Sequence, residues 1–207
     1  FINGDQLKIY ESIRTMVKSD VSNFEYVEGN EFNILKELLN NPMPYNGNSI
    51  KEAKTAQDEL TSKVLARILE EKTKAISATQ KAIDDIKSKE EFMKLNDANQ
   101  ILIIAPFEEI IGKLREQRYI AVIRDTKTKT LESLFPRQLN EMIRLGTPIE
   151  EDGDVVNDPV PHYISRTSIK VDFGKTELRT EADVDDYLEA LKKAMLKQIS
   201  ENRRISL

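Results

Sequence analysis

The sequence predicts a mainly α-helical chain. One very long helix, about residues 49–88, packs on helices within 97–146, and a small C-terminal strand–helix–strand unit follows. Three observations carry this. Some forty residues from Ser49 run without Gly or Pro and are rich in Ala, Lys, Glu, Leu and Gln. The whole chain of 207 residues holds only 7 Gly and 7 Pro, which favours long regular elements over tight turns. Beyond residue 162, a stretch alternating in polarity is followed by a segment of helical periodicity.

The first element is a short helix over 5–18, where Leu7, Ile9, Tyr10, Ile13, Met16 and Val17 recur at helical spacing. An irregular stretch containing Phe24, Tyr26 and Val27 ends at Gly29-Asn30. A second helix, 31–40, carries Phe32, Leu35, Leu38 and Leu39 and is stopped by Asn40-Asn41-Pro42. Residues 42–48 are a loop.

The long helix opens on Ser49 and Glu52, spaced as a capping box. At 1.5 Å per residue its length is roughly 60 Å. Ala53, Val64, Ala75 and Ile86 fall eleven residues apart, with Leu60, Ile68, Ile76 and Ile83 near the same stripe. That period keeps the stripe straight or slightly right-handed along the helix. Glu59 with Lys63, and Glu70 with Lys74, are favourable i,i+4 pairs on the outer face. A helix this thin needs a helical partner, later in the chain or in another subunit.

Residues 97–146 supply it. Ile101, Ile104, Phe107, Ile110, Ile111, Leu114 and Ala121 follow helical spacing, with Pro106 as a kink or a start. The apolar runs 101–105 and 119–123 also fit buried strands, and periodicity alone does not separate the two. Helix is favoured because no turn signal stands between Phe107 and Thr130. A further helix from about Pro136 carries Leu139, Met142 and Ile143 and ends at Gly146 and Pro148. Residues 147–161 read as an acidic, proline-containing linker with Glu150, Glu151, Asp152, Asp154 and Asp158, whose spacing does not match a calcium loop.

In the last unit, Tyr163, Ser165, Thr167, Ile169, Val171 and Phe173 alternate as a strand. Thr180 and Asp183 cap a helix of about 181–201. Its first turns are acidic and its later turns carry Lys192, Lys193 and Lys197, as the helix dipole favours. Val184, Leu188, Leu191, Met195 and Ile199 form its expected buried stripe. Residues 203–207 read as a second strand, giving a βαβ-like unit. So small a unit buries too little to stand comfortably alone and should pack on the helical part. The expected domains are therefore 1–146, the linker 147–161, and 162–207.

Composition narrows the chemistry. Zero Cys excludes disulfides, thiolate zinc sites and thiol catalysis, and a single His, His162, excludes His-cluster metal sites. No apolar run approaches a membrane span. Gly174-Lys175-Thr176 has the tail of a phosphate loop, but position 169 is Ile where that motif needs Gly. Asp172-Phe173-Gly174 spells a kinase metal motif without its companion loops. His162 follows Pro161 in a loop with no sequence partner for catalysis. Net charge is −5, yet 113–144 carries eight bases against four acids. These bases are Lys113, Arg115, Arg118, Arg124, Lys127, Lys129, Arg137 and Arg144. They form a candidate face for a protein partner or for a nucleic-acid backbone. The chain opens Phe1-Ile2-Asn3-Gly4, without Met, and reads as a piece of a longer polypeptide.

Three blocks together are familiar: Phe107–Ile111 leading to Ile120–Thr126; Ile164–Val171; and Leu178–Leu191, closing on Arg203-Arg204-Ile205-Ser206-Leu207. The Gly4-Asp5-Gln6 helix and the 39–45 turn join them. This pattern resembles the C-terminal part of the large P-loop ATPase of bacterial BREX phage-defence systems (the BrxC/PglY type). The resemblance implies a AAA+-like parent whose nucleotide site lies elsewhere, so no ATP-binding residue is carried over. It implies no catalytic, metal or cofactor residue in this fragment, with ATP and magnesium belonging to the parent. The implied partners are other BREX components or self-association, with possible DNA contact, no membrane and no small-molecule substrate. The implied location is the cytoplasm.

Overall fold

A computed structural model of the protein describes residues 4–147 and 162–206. The chain is mainly α. Helices α1 (Gly4–Ser19), α2 (Val21–Phe24) and α3 (Glu31–Asn40) precede the long helix α4 (Ser49–Lys87). Then come α5 (Glu90–Met93), α6 (Asp97–Glu116), α7 (Ile120–Lys129), a π turn (Thr130–Leu134) and α8 (Phe135–Gly146). The C-terminal part is β1 (His162–Ser165), a 3-10 turn (Arg166–Ser168), α9 (Glu181–Ser200) and β2 (Arg203–Ser206). Contacts group the chain into two compact units, each drawing on separated segments. Unit 1 is 1–76 with 113–126, and unit 2 is 77–112 with 127–207. The acidic linker expected over 147–161 lies outside the described residues except at Thr147, as do Phe1–Asn3 and Leu207.

In unit 1, α4 from Ile50 to Ile68 packs with residues of α1, α2 and α3. The core holds Ile13, Phe24, Leu35 and Leu38 together with Ile50, Ala53, Ala56, Leu60 and Val64 of α4. The eleven-residue stripe is buried along the whole helix: Ala53, Val64, Ala75 and Ile86, with Leu60 and Ile83 beside them. Small Ala side chains recur on it, which lets neighbouring backbones come close without leaving voids. Ser49 is the first helical residue, and the opening bond is Glu52 N–H to the Asn48 carbonyl at 3.0 Å. The cap position therefore falls one residue earlier than the sequence spacing suggests. Lys74 pairs with Glu70 at 2.5 Å as expected. Lys63 instead reaches out of its helix to Glu31 at 2.6 Å and to the Glu28 carbonyl, because a tertiary carboxylate and a carbonyl converge on it.

Of the two ambiguous apolar runs, 101–105 is helical throughout and 119–123 is helical from Ile120. The buried face of α6 is Ile103, Ile104, Phe107, Ile111 and Leu114, whereas Ile101 is 68% exposed and so faces away from that core. Pro106 sits in the helix interior rather than at a start. The helix does not run on to Thr130 as expected. It breaks at 117–119, where Gln117 Oε1 accepts from the Arg118 and Tyr119 N–H groups at 2.8 and 3.1 Å. Buried Asn23 completes the break: its Nδ2 donates to the Arg118 carbonyl at 3.1 Å and its Oδ1 accepts the Ile120 N–H at 3.0 Å. An orphan donor at the start of α7 is thus satisfied by a side chain 97 positions away.

In unit 2, α8 packs on β1 and on α5, and buries Pro136, Gln138, Leu139, Met142 and Ile143. β1 and β2 pair in parallel, His162 with Arg203 through Ser165 with Ser206, and α9 makes the crossover. Asn202, with φ 57°, turns the chain from α9 into β2, a left-handed position that Asn tolerates. The strand expected to reach Phe173 stops at Ser165. There the Ser165 hydroxyl accepts the Thr167 N–H at 3.3 Å, and Ser168 Oγ donates to the Ser165 carbonyl at 2.6 Å. These local bonds compete with strand pairing, and β2 offers only four residues to pair with.

Candidate interaction surfaces

The C-terminal unit is held by a few polar contacts whose residues the sequence did not single out for that work. Asn140 on α8 grips the β1 backbone at both groups of one residue. It accepts the Tyr163 N–H at 2.6 Å and donates to the Tyr163 carbonyl at 2.9 Å. Arg204 on β2 donates to the Tyr163 hydroxyl at 3.2 Å and pairs with Glu91 of α5 at 3.3 Å. Glu91 is held below the usual carboxylate range, first by a backbone N–H and then by Arg204.

The segment between the 3-10 turn and α9 is a strap. Phe173 meets Tyr187 of α9 edge-on, with centroids 5.3 Å apart. Lys175 binds Asp183 at 2.5 Å and lies 3.6 Å from Asp186. Asp183 also closes the capping box with Thr180 and accepts the Arg179 N–H. Lys175, the Arg179 N–H and Thr180 together push the Asp183 carboxyl far below its ordinary range. Both sequence look-alikes are explained here: the Lys of Gly174-Lys175-Thr176 and the Phe of Asp172-Phe173-Gly174 fasten α9. His162 is exposed at the start of β1 and pairs in register with Arg203.

The strap and sheet cover only one side of α9. The half-buried positions are Asp183, Tyr187, Ala190, Leu191, Ala194, Met195 and Gln198. No residue of the helix is fully buried. The expected buried stripe is therefore open at Val184 (40% exposed), Leu188 (53%) and Ile199 (57%), with Leu191 and Met195 half-covered. A sheet of two four-residue strands is too narrow to cover an apolar face more than one row wide.

The eight basic candidates divide between the units. Lys113, Arg115, Arg118 and Arg124 fall in unit 1, and Lys127, Lys129, Arg137 and Arg144 in unit 2. Arg124 pairs with buried Glu71 at 2.8 Å and lies over the Tyr26 ring at 4.8 Å. Arg67 reaches the same carboxylate at 3.0 Å. Glu71 is held below the usual carboxylate range, chiefly by Arg124. Arg144 bonds Glu141 through two nitrogens at 2.8 and 2.6 Å. Arg115 and Arg118 are exposed, their carbonyls accepting from Lys72 and Asn23. Lys127 lines a hollow of about 270 Å³ with Glu132, Ser165, Arg166 and Ser206. Among the described residues, no group of three or more His, Asp or Glu side chains is placed to hold a metal ion. None of the described helices is long and apolar enough to cross a membrane.

Residues 163–207 match the family model of the BrxC C-terminal alpha-beta domain. The similarity supports a BrxC C-terminal region over those residues. The match begins inside β1 and spans the strap, α9 and β2. Such a domain implies involvement in BREX phage defence. No curated protein and no solved structure matches the chain.

Proposed function

We propose that this chain is the non-catalytic C-terminal region of a BREX phage-defence ATPase and mediates assembly or docking to other system components. One observation carries the reading. The segment that matches the BrxC model contains a helix whose apolar stripe is exposed at Val184, Leu188 and Ile199 and nowhere fully buried. An exposed apolar face rimmed by charge is a common mark of an interaction surface. ATP and magnesium belong to the parent protein, and this reading assigns no residue here to them. The setting is the bacterial cytoplasm.

The test is pairwise. The tagged chain is co-expressed with each BREX component separately, and captured material is identified by mass. Retention of one defined component marks a docking module, and retention of a second copy marks an oligomerisation element. Retention of neither, with the chain folded, overturns the proposal.

A second reading, DNA contact by the 113–144 stretch, rests on the exposure of Arg115 and Arg118 in unit 1. It requires binding at low salt that falls steeply as salt rises, and loss of that binding in Arg115→Glu with Arg118→Glu. No binding at low salt sinks it.

A further inference from the structure

We infer that the open face of α9 is a self-pairing surface: a second copy of the chain lies antiparallel across it. The inference rests on the assembly reading above and names its partner. Val184, Leu188, Leu191 and Met195 follow one another at intervals of four, three and four. That is the spacing of a short coiled-coil seam, bounded by the polar Glu181 and Gln198 at the next contact positions. The strap and β2 take the neighbouring side, leaving Val184 and Leu188 exposed and Leu191 and Met195 half-covered along the seam's edge.

Charge selects the occupant and its direction. Residues 181–190 carry five acids (Glu181, Asp183, Asp185, Asp186 and Glu189) and no base. Residues 191–200 carry three bases (Lys192, Lys193 and Lys197) and no acid. Parallel pairing sets like charge beside like, which is destabilising. Antiparallel pairing about a two-fold axis sets the acidic half of each copy beside the basic half of the other, and the interface is self-complementary. In that register Val184 faces Met195 of the second copy, and Leu188 faces its Leu191. Asp185 and Lys192, both on the exposed flank of the seam, then meet across the axis twice. Asp183 is already engaged by Lys175 and takes no part. A single pair of 20-residue helices falls in the small class of interfaces, so the association is concentration-dependent.

Sedimentation equilibrium of the full chain, from low micromolar to near-millimolar concentration, tests this. A monomer–dimer equilibrium is expected. Leu188→Glu, an exposed position whose helix is retained by circular dichroism, weakens it by about tenfold or more, since a charge enters the apolar seam. Asp185→Lys and Lys192→Glu each weaken it alone. An equimolar mixture of those two variants recovers the association, because each lysine then meets an acid. A monomer at every concentration overturns the inference, and so does a dimer indifferent to Leu188→Glu, or a mixture no tighter than its parts. If the monomeric chain captures a defined BREX component and Leu188→Glu abolishes that capture, self-pairing fails while the docking reading stands. If the chain neither associates nor captures a component, both fail.

Discussion

Two helices of this chain carry apolar stripes of comparable regularity and meet opposite fates. On α4 the stripe is buried from Ala53 to Ile86. On α9 the equivalent row is exposed at Val184, Leu188 and Ile199 and only half-covered at Leu191 and Met195. The difference is not in the helices. In unit 1, α4 has apolar neighbours in Ile13, Phe24, Leu35 and Leu38, and in unit 2 its Ala82, Ile83 and Ile86 are buried. α9 has two short strands and a strap. An amphipathic pattern states that a face must be covered; it does not state by what.

Truncation sharpens that contrast first. Leu60→Ala, at a site 1% exposed, should destabilise the fold by about 2–5 kcal/mol in urea unfolding. At concentrations low enough to keep the chain monomeric, Leu188→Ala should change it by less than about 0.5 kcal/mol. Equal losses at the two positions would show that α9 is covered in solution.

Next is the charged part of the α4 surface. Glu71→Ala leaves the guanidiniums of Arg67 and Arg124 facing each other without their shared acceptor. A loss of about 2–3 kcal/mol is expected, below the fully buried limit because both arginines retain some solvent. Asn23→Ala should cost about 1–2 kcal/mol, since two backbone groups at the start of α7 lose their partner. Urea unfolding with the helical signal as readout checks both.

The smallest effects belong to the strap, and pH reveals them. The folded-state carboxyls of Asp183, Glu71 and Glu91 titrate below their ordinary ranges. Each therefore contributes stability that is complete above about pH 5 and is lost as pH falls through the folded value. Unfolding midpoints should drop below about pH 4. Asp183→Asn should flatten that slope slightly without altering the neutral-pH helix content, since the group is near the surface and its cap is only part of the helix's support. An unchanged slope would mean that the Lys175 contact is not maintained in solution.

Much of this was legible in the residues. Helix positions followed from periodicity, the end of α3 from Asn-Pro, and the Thr180–Asp183 box from its spacing. What escaped was long-range or competitive. The break at 117–119 depends on Asn23, far away in sequence. Lys63 abandons its predicted partner for Glu31. β1 ends early because Ser165 and Ser168 turn on their own backbone. The basic candidates kept their exposure at Arg115 and Arg118, but Arg124 and Arg144 are engaged by Glu71 and Glu141.

The sequence alone was enough to establish helical character, the span and phase of the longest helix, the exclusion of thiol and His-cluster chemistry, and a BrxC-like C-terminal pattern. Those are local properties, written in spacing and residue type. The grouping of separated segments into two units, the role of the Gly174-Lys175-Thr176 and Asp172-Phe173-Gly174 strap, and the exposure of the α9 stripe emerged only in three dimensions. Each depends on which distant surfaces meet, and a two-stranded sheet leaves one more apolar face than the chain's described residues cover.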